Sequence, residues 1–259
     1  MNPLPTTKPL SSIKLGDLIQ LGDHRIICGD ARDPEVVKRL VGNLRINLVL
    51  SDVPYGIDLA ASKLSFGQNI SVPKDILNDH FQTDAEYSEF TQAWINAAKP
   101  YLAEKNSLYV FNCDKMIFAL RDGMLKAGCK FSQLIIWIKN AAVMSRLDYH
   151  AQHELIAVGW MGAHKFYRGS DQSVMACPKP NKSPYHASQK PVSLLRRLIL
   201  NSSKINDVVY DCFLGSGSTL LAAEQTHRIC LGVELDPDYC FTTVRRWEKL
   251  THQQAQLIQ

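Results

Sequence analysis

Several features that mark other classes of protein are missing from this 259-residue sequence. None of its seven cysteines forms a C-x-x-C pair, so a structural zinc site is not expected and reduced, mostly buried thiols are. No apolar run is long enough to span a bilayer, and the first residues, Met1–Pro5, lack a signal-peptide pattern. Internal repeats and low-complexity tracts are also absent. These absences predict a cytoplasmic globular protein with no metal site and no membrane partner.

The net charge is also small, at +4, but it is unevenly distributed along the chain. Between residues 139 and 204 ten basic side chains are opposed by only three acids, so the remainder is net negative. A basic middle flanked by acidic ends suits a surface that binds a polyanion, although scattered solvated lysines would give the same count. Lys139, Arg146, Lys165 and Arg168 are the candidates for contacts to phosphates or bases.

Strands and helices alternate along the chain, which predicts a mostly parallel sheet covered by helices on both faces. The main strands are predicted at 24–28, 46–51, 107–111, 131–138, 153–160, 207–210 and 229–235. The helices are predicted at 34–41, 84–99, 115–126, 192–201, 218–227 and 237–251. Residues 1–14 are rich in proline, serine and threonine and are predicted to form a flexible arm, with a single domain over 15–259.

A buried strand delivers Ser51-Asp52-Val53-Pro54-Tyr55-Gly56 into a loop at the carboxyl edge of the predicted sheet. Open α/β sheets bind their ligands at that edge. Asp52 supplies acceptor oxygens, Pro54 shapes the turn, and Tyr55 offers a flat face on which a planar ring can stack. The alternative is an ordinary turn at the end of a strand.

A second strand leads into Asp211-Cys212-Phe213-Leu214-Gly215-Ser216-Gly217 and then into a helix, which is the outline of a dinucleotide-binding turn. Glu234 ends the next strand, at the spacing where an acid reaches ribose hydroxyls. Leu220 stands where a third glycine would be, and no second half of a dinucleotide fold follows. A smaller nucleoside ligand such as S-adenosylmethionine therefore fits better than a nicotinamide or flavin.

Four motifs in this order resemble the β-class DNA amino-methyltransferases, which modify adenine N6 or cytosine N4. Asp52-Val53-Pro54-Tyr55 is similar to their Asp-Pro-Pro-Tyr, and residues 213–217 match Phe-x-Gly-x-Gly. Ser188-Gln189-Lys190-Pro191 resembles the end of His-Pro-Thr-Gln-Lys-Pro. Residues 234–239 resemble the acidic ribose-binding step, and residues 22–30 resemble the opening strand of the family. The resemblance extends from about Leu15 to Leu250.

The resemblance implies a Rossmann-like methyltransferase fold with a mostly parallel seven-stranded sheet, acting on double-stranded DNA with S-adenosylmethionine as cofactor. It implies a catalytic half over about 15–138, a basic target-recognition insert over about 139–187 and a cofactor half over about 188–252. Related enzymes are often dimers, so a homodimer is also expected. The implied catalytic residues are Asp52, Val53, Pro54 and Tyr55. The implied cofactor-binding residues are Asp30, Lys190, Asp211, Phe213, Gly215, Gly217, Thr219 and Glu234.

The chain departs from the family pattern at a few positions. Val53 replaces the first proline, Cys212 replaces the proline that usually follows the aspartate, and Ala187-Ser188 replaces Pro-Thr. In the family mechanism the carbonyl at position 53 accepts a hydrogen bond from the target amine. Valine keeps that carbonyl but frees the φ angle of the loop, so a non-catalytic DNA-binding relative is one alternative.

Whether the methylated base is adenine or cytosine is the main question that the sequence leaves open. Aspartate at the first position of the tetrapeptide favours adenine N6, whereas cytosine N4 more often goes with serine. An RNA methyltransferase is a weaker alternative. Residues 58–80 are predicted to form either a flap beside the site or a disordered insertion. For His150 and His153 DNA contacts or packing are favoured over catalysis, and Trp137 and Trp160 are expected in the core.

Overall fold

The computed structural model describes residues 12–57, 80–142, 148–179 and 189–258. Arg146, Ser188, the arm as far as residue 11 and the predicted loop over residues 58–79 lie outside these ranges. The predictions that concern them are therefore not compared with the structure.

Ten strands and six α-helices are found in the described part of the chain. The strands are β1 (Leu18–Leu21), β2 (His24–Cys28), β3 (Ile46–Asp52), β4 (Leu102–Asn112), β5 (Lys130–Ile138), β6 (His153–Trp160), β7 (Val174–Ala176), β8 (Val208–Asp211), β9 (Ile229–Glu234) and β10 (Gln256–Ile258). The helices are α1 (Pro34–Val41), α2 (Asp84–Ala98), α3 (Ile117–Lys126), α4 (Val192–Ser202), α5 (Ser218–Glu224) and α6 (Pro237–Thr251), with a 3-10 turn at Lys99–Tyr101.

All ten strands belong to one sheet, in the order β10-β1-β2-β9-β8-β3-β4-β6-β5-β7. The five neighbours β2, β9, β8, β3 and β4 are parallel, whereas antiparallel pairs join β1 to β10 and to β2, and β6 to β4 and to β5. The α/β fold class is confirmed. The expected count of seven was too low because β1, β7 and β10 are edge or near-edge strands of three or four residues, too short to show a period.

Helices cover both faces of the sheet, each over its own apolar layer. Helices α1, α2 and α3 pack on one face through side chains such as Leu40, Trp94 and Leu120. Helices α4, α5 and α6 pack on the other face through side chains such as Leu198 and Trp247. No helix within the described ranges is long and apolar enough to cross a membrane.

Local capping explains where the helices next to the carboxyl edge begin. Asp33 and Asp236 each accept a hydrogen bond from the backbone two residues on, and a proline follows each of them at the first helical position. Thr83 and Glu86 form a capping box at the start of α2. These signals fix the strand-to-helix turns, and with them the loops that carry polar side chains.

Candidate active site

Polar residues end, or directly follow, all five parallel strands at the centre of the sheet. Asp52 ends β3, Asn112 ends β4, Asp211 ends β8 and Glu234 ends β9, while Asp30 follows β2 after Gly29. The register pairs Asp52 with Phe111 and Cys28 with Glu234, so these ends lie at one edge. The structure thus brings the two sequence motifs together at neighbouring strand ends.

A direct hydrogen bond joins the two motif-bearing strands. The buried Ser51 hydroxyl donates to Asp211 Oδ1 at 2.6 Å, next to the start of the tetrapeptide. Cys212, which replaces the family proline, is buried beside it, with its Sγ 3.3 Å from Ser51 Oγ. The substitution therefore fills the space between the strands without adding an unpaired polar group.

Asp52 is held by a buried lysine from the far end of the chain. Lys190 Nζ lies 2.6 Å from Asp52 Oδ2, and the Tyr55 hydroxyl donates to Asp52 Oδ1 at 3.1 Å. The same ammonium lies 5.6 Å from the centre of the Tyr55 ring and 5.3 Å from that of Phe111. Lys190, predicted from the sequence to bind the cofactor, therefore lies against the predicted catalytic loop.

Glu154, on β6, completes a network that the sequence did not indicate. Its carboxylate lies 3.1 Å from Lys190 Nζ and 2.8 Å from Lys139 Nζ, and the Tyr55 hydroxyl lies 3.0 Å from Glu154 Oε2. Two carboxylates thus face two ammonium groups, and both lysine side chains are only 6% exposed. A charge-balanced cluster of this kind is tolerated in a core because each charge has a close partner.

The network shifts the pKa of its members in opposite directions. Burial raises the pKa of Asp52, and Lys190 opposes that rise without cancelling it. Burial also acts to raise the pKa of Glu154, but Lys190 and Lys139 outweigh it and lower the value to about 2. Burial, with the Asp52 and Glu154 charges, raises the pKa of Tyr55 well above its usual value. Glu154 is therefore the stronger acid of the two, and Asp52 is the carboxylate that takes up a proton more readily.

The rest of the tetrapeptide is held by the apolar layer that α1, α2 and α3 cover. Val53 is 2% exposed and packs among the apolar side chains of that layer. The Pro54 carbonyl accepts a hydrogen bond from the Tyr87 hydroxyl at 2.8 Å, and Gly56 adopts a φ of +66°. Val53 is thus a core side chain as well as part of the loop.

The turn after β8 has the features expected of a nucleoside site. Glu234 Oε2 accepts from the Gly215 amide at 2.7 Å, and its Oε1 accepts from the Asp236 amide at 2.8 Å. Asp211 accepts from the Phe213 amide and from Thr219. Each Glu234 oxygen keeps a further lone pair that could accept a ribose hydroxyl. The acceptors present therefore fit S-adenosylmethionine, which offers two such hydroxyls.

Burial raises the pKa of Glu234 and of Asp211, the two acids beside the turn after β8. The pKa of Glu234 is about 7, although two backbone amides stabilise its ionised form. The pKa of Asp211 is about 6, although Ser51 donates to it. Ligand donors arriving at this edge would replace lost water and favour ionisation.

Gly217 is required by its backbone conformation and by the packing of α6, and its contact with the cofactor stays a prediction. Its φ is +82°, and a Cβ atom there would lie 2.6 Å from Thr243 Cγ2 on α6. Thr243 also donates to the Gly215 carbonyl at 3.0 Å, so α6 holds the turn from below. The second glycine of the motif thus permits the close approach of α6.

Two further residues predicted to bind the cofactor contact the protein itself. Asp30 forms a two-pronged ion pair with Arg32, which lowers the pKa of Asp30 even though burial acts to raise it. The Phe213 ring packs 5.6 Å from Phe90 and edge-on to Trp94, between the turn and α2. Both residues lie at the cofactor edge, and contact with the cofactor stays a prediction for each.

The predicted DNA contacts divide into two groups. Lys165 and Arg168 are exposed between β6 and β7, as a phosphate contact requires. Lys139 is buried and paired with Glu154, so the structure does not present it to DNA. Its assignment was wrong for a physical reason: the basic count could not show that β6 places an acid opposite the end of β5.

The structure also describes the tryptophan and histidine residues for which predictions were made from the sequence. Trp137 is fully buried, as expected, and its indole donates to the Cys177 carbonyl. Trp160 is only half-buried, and its ring stacks on His164 at 3.7 Å. His150 and His153 are exposed. Glu154 was overlooked, although an acid at the start of an apolar strand, before Leu155-Ile156-Ala157, was the available signal.

Comparison with known proteins shows the family. A family model described as DNA methylase, for N6 and N4 enzymes, matches residues 46–245 of this chain. The chain therefore belongs to the DNA methylase family of amino-methyltransferases. This membership confirms the class predicted from the four motifs, and with it S-adenosylmethionine as the methyl donor and DNA as the substrate.

Curated relatives agree with this membership. The type II methyltransferase M.HpaI of Haemophilus parainfluenzae is 26% identical over 244 residues, which cover 84% of this chain and 72% of that protein. The type II methyltransferase M2.DpnII of Streptococcus pneumoniae is 24% identical over 222 residues, covering 78% and 82%.

Solved structures show the same fold. The complex of M1.HpyAVI with S-adenosylmethionine superposes with a TM-score of 0.62 at 22% identity, covering 85% of this chain and 98% of that one. The cytosine-N4-specific PvuII DNA methyltransferase gives a TM-score of 0.68 at 15% identity, covering 95% and 94%. At these identities the likeness establishes the fold alone.

Proposed function

We infer that this chain methylates the exocyclic N6 amine of adenine in double-stranded DNA, with Asp52 to Tyr55 as the catalytic loop. The observation that carries this proposal is the Asp52 carboxylate at the end of β3, fixed by Lys190 and Tyr55. Its strand neighbours β8, which leads into the cofactor turn. An acceptor for the amine and a site for the methyl donor would thus lie side by side.

The chemistry requires an acceptor of this kind. The lone pair of an exocyclic amine is conjugated into the ring, so the nitrogen is a poor nucleophile. Asp52 and the Val53 carbonyl accept hydrogen bonds from the amine and draw its nitrogen towards tetrahedral geometry, which stabilises the positive charge that develops. S-adenosylmethionine, when bound, supplies an electrophilic methyl group.

Asp52 also takes the proton that the methylated nitrogen must lose. A C–N bond forms as a C–S bond breaks, and the nitrogen then gives up one hydrogen as a proton. Glu154 is a poor acceptor, because its two lysines lower its pKa to about 2. The raised pKa of Asp52 suits proton uptake, and Lys190 favours its ionised form beforehand.

Tyr55 stacks on the target base once that base leaves the duplex. An amine paired within the duplex is out of reach, so the nucleotide must be extruded. The Tyr55 hydroxyl lies between Asp52 and Glu154, at 3.1 and 3.0 Å, which fixes the plane of the ring. A ring held in this way loses little freedom when a base stacks on it.

Glu234 accepts the ribose hydroxyls of the cofactor, and the turn from Asp211 to Thr219 receives its methionine end. Lys165 and Arg168 contact DNA phosphates in this proposal, and Arg146 stays a prediction. Homodimer formation also stays a prediction.

Transfer of labelled methyl groups to DNA tests the proposal, with Asp52→Ala compared to wild type. Asp122→Ala is a matched control, because Asp122 is an exposed acid paired with Lys126 at 2.8 Å on α3. We expect Asp52→Ala to abolish transfer and Asp122→Ala to preserve it. Full activity of Asp52→Ala would remove Asp52 from the mechanism.

The identity of the base is read from the product. Digestion of the methylated DNA to nucleosides should release N6-methyladenosine in its deoxy form. Release of N4-methylcytosine instead would overturn the choice of base and leave the loop assignment intact. Labelling of RNA but not DNA would contradict the choice of substrate.

A further inference from the structure

We propose that Tyr87 and Asn112 form a positioning clamp that holds the catalytic loop where Val53 has replaced a proline. The proposal rests on the assignment of residues 52–55 as that loop. Proline restricts its own φ to about −65°, whereas valine, which Pro54 confines mainly to the extended region, can still vary its φ within that region. A loop that must present an acceptor carbonyl therefore needs a restraint from elsewhere.

A series of hydrogen bonds from two buried side chains supplies this restraint. Asn112 Nδ2 donates to the Tyr87 hydroxyl at 2.7 Å, and that hydroxyl donates to the Pro54 carbonyl at 2.8 Å. The Asn112 side chain is itself fixed, because its Oδ1 accepts from the Cys113 amide at 2.8 Å. Tyr87 and Asn112 are both fully buried.

The donor-to-acceptor order of these hydrogen bonds explains why they restrain the loop. A hydroxyl has one proton, and the donor from Asn112 occupies one of its acceptor sites, so the proton is left for the Pro54 carbonyl. Rotation of the peptide after Pro54 would leave the buried Tyr87 hydroxyl, and the partly buried carbonyl, without this partner. Buried polar groups without partners are costly, so the clamp restrains the peptide that joins Pro54 to Tyr55.

Helix α2, which carries Tyr87, also holds the loop at its Gly56 end. The Gln82 amide, just before α2, donates to the Gly56 carbonyl at 3.0 Å. A Cβ atom on Gly56 would lie 3.0 Å from the Tyr87 ring, so the loop and that ring are in close contact. Val53 is buried in the same core layer as Tyr87. Residues 53–56 are thus held from one side by α2 and β4.

A core tyrosine that merely satisfies its own hydroxyl would show the same distances. The two readings differ in how Tyr87 and position 53 depend on each other. If the clamp replaces the restraint of a proline, loss of the hydroxyl matters more with valine at position 53 than with proline. If Tyr87 only supports the core, its loss costs the same in both backgrounds.

A double-mutant cycle separates the readings. Wild type, Tyr87→Phe, Val53→Pro and the double variant are compared by kcat for DNA methyl transfer and by KM for DNA and cofactor. We expect Tyr87→Phe to lower kcat about tenfold in the valine background and about twofold or less in the proline background, with little change in KM. Equal losses in the two backgrounds would overturn the clamp.

Tyr109→Phe is the matched control. Tyr109 is a buried tyrosine on β4 whose hydroxyl lies 2.7 Å from Ser202 Oγ, on the other face of the sheet. It should lower thermal stability as Tyr87→Phe does, yet leave kcat unchanged. Asn112→Ala is a second variant in case Tyr87→Phe folds poorly. It removes the donor to Tyr87 and the acceptor of the Cys113 amide but keeps the Tyr87 hydroxyl, and we expect a smaller loss of kcat that again depends on Val53.

Hydrogen–deuterium exchange tests the clamp without catalysis. The amides of Tyr55 and Gly56 should exchange faster in Tyr87→Phe than in wild type, and the increase should be smaller when position 53 is proline. If wild type methylates no DNA, the proposed function fails while exchange still decides the clamp. Unchanged exchange in Tyr87→Phe would overturn the clamp even in an active enzyme.

Discussion

Lys190 Nζ lies 2.6 Å from Asp52 Oδ2, although the two residues are 138 positions apart in the chain. The contact joins the Gln-Lys-Pro segment to the proposed catalytic loop, so a residue predicted to bind the cofactor lies against the tetrapeptide. Burial favours the neutral form of Asp52 and the lysine favours the ionised form. The balance between these two effects sets the pH at which the loop can accept hydrogen bonds from an amine.

Replacing Lys190 by methionine should therefore lower activity and move its pH dependence. Without the ammonium the pKa of Asp52 rises further, because only the Tyr55 hydrogen bond then opposes burial and the Glu154 charge. The acid limb of kcat should shift to higher pH, and kcat at neutral pH should fall about 100-fold. A pH profile of methyl transfer measures both effects. Lys126→Met, which breaks an exposed ion pair, is the control. If the acid limb of Lys190→Met lies at the wild-type pH, Lys190 does not set the pKa of Asp52.

Glu154→Gln should move the same limb in the opposite direction. The Glu154 charge raises the pKa of Asp52, so its removal lets Lys190 pair more fully with Asp52 and lowers that pKa. The limb should move to lower pH, while kcat falls less than in Lys190→Met because Lys190 and Tyr55 still contact Asp52. Shifts of the same sign in the two variants would exclude this account.

Stability should respond to Glu154 through its second lysine. Glu154→Gln leaves Lys139, which is 6% exposed, without a counter-charge, and breaking a buried pair in this way costs about 3–5 kcal/mol. The double variant Lys139→Met with Glu154→Gln removes the stranded charge and should recover much of that loss. Urea unfolding of the two single variants and the double variant measures the coupling. A double variant whose stability loss equals the sum of the single losses would show that the pair does not act as a unit.

Affinity for S-adenosylmethionine should fall as the pH drops below about 7. Burial raises the pKa of Glu234 to about 7, and an ionised carboxylate is the better acceptor for ribose hydroxyls. Below that pH the acid must lose a proton on binding, so affinity should decrease by up to about tenfold per pH unit. Calorimetry between pH 6 and 8 measures the affinity and the proton release. Glu234→Gln should weaken binding and flatten this dependence, and an unchanged slope in that variant would assign the titration elsewhere.

Much of the fold could be predicted because its signals are local. The strand that ends at Asp52 and the helices that begin after Asp33 and Asp236 were predicted to within a residue or two from period and capping. The three-residue strands β7 and β10 have no such period, and only their pairing partners define them.

The charge network could not be predicted in the same way. The pairing of Glu154 with Lys139 and Lys190 depends on β6 inserting between β4 and β5, which is a long-range property of the sheet. Tyr87 likewise has the sequence appearance of a core residue on an amphipathic helix. Its contact with Pro54 is visible only once α2 packs against the loop.

DNA affinity should depend on Lys165 and Arg168 through electrostatics. Both side chains are exposed in the basic segment, so each would release about one counterion on contact with a phosphate. Changing both to alanine should weaken binding similarly for all sequences and reduce the slope of log affinity against log salt by about two. Lys38→Ala, at an exposed pair with Glu35 on α1, should leave the slope unchanged. An unchanged slope in the Lys165 and Arg168 variant would place the DNA surface elsewhere.

Gly217→Ala should destabilise the protein through two separable effects. A φ of +82° costs a residue with a Cβ atom about 1 kcal/mol, and a contact 2.6 Å from Thr243 adds an overpacking cost of about 1–3 kcal/mol. Adding Thr243→Ala removes the two closest atoms, so it should recover the overpacking part while the φ cost remains. Urea unfolding of the single and double variants, with Thr243→Ala alone as reference, separates the two. If Thr243→Ala recovers none of the loss, the glycine is required for its φ alone, and the close approach of α6 is not what selects it.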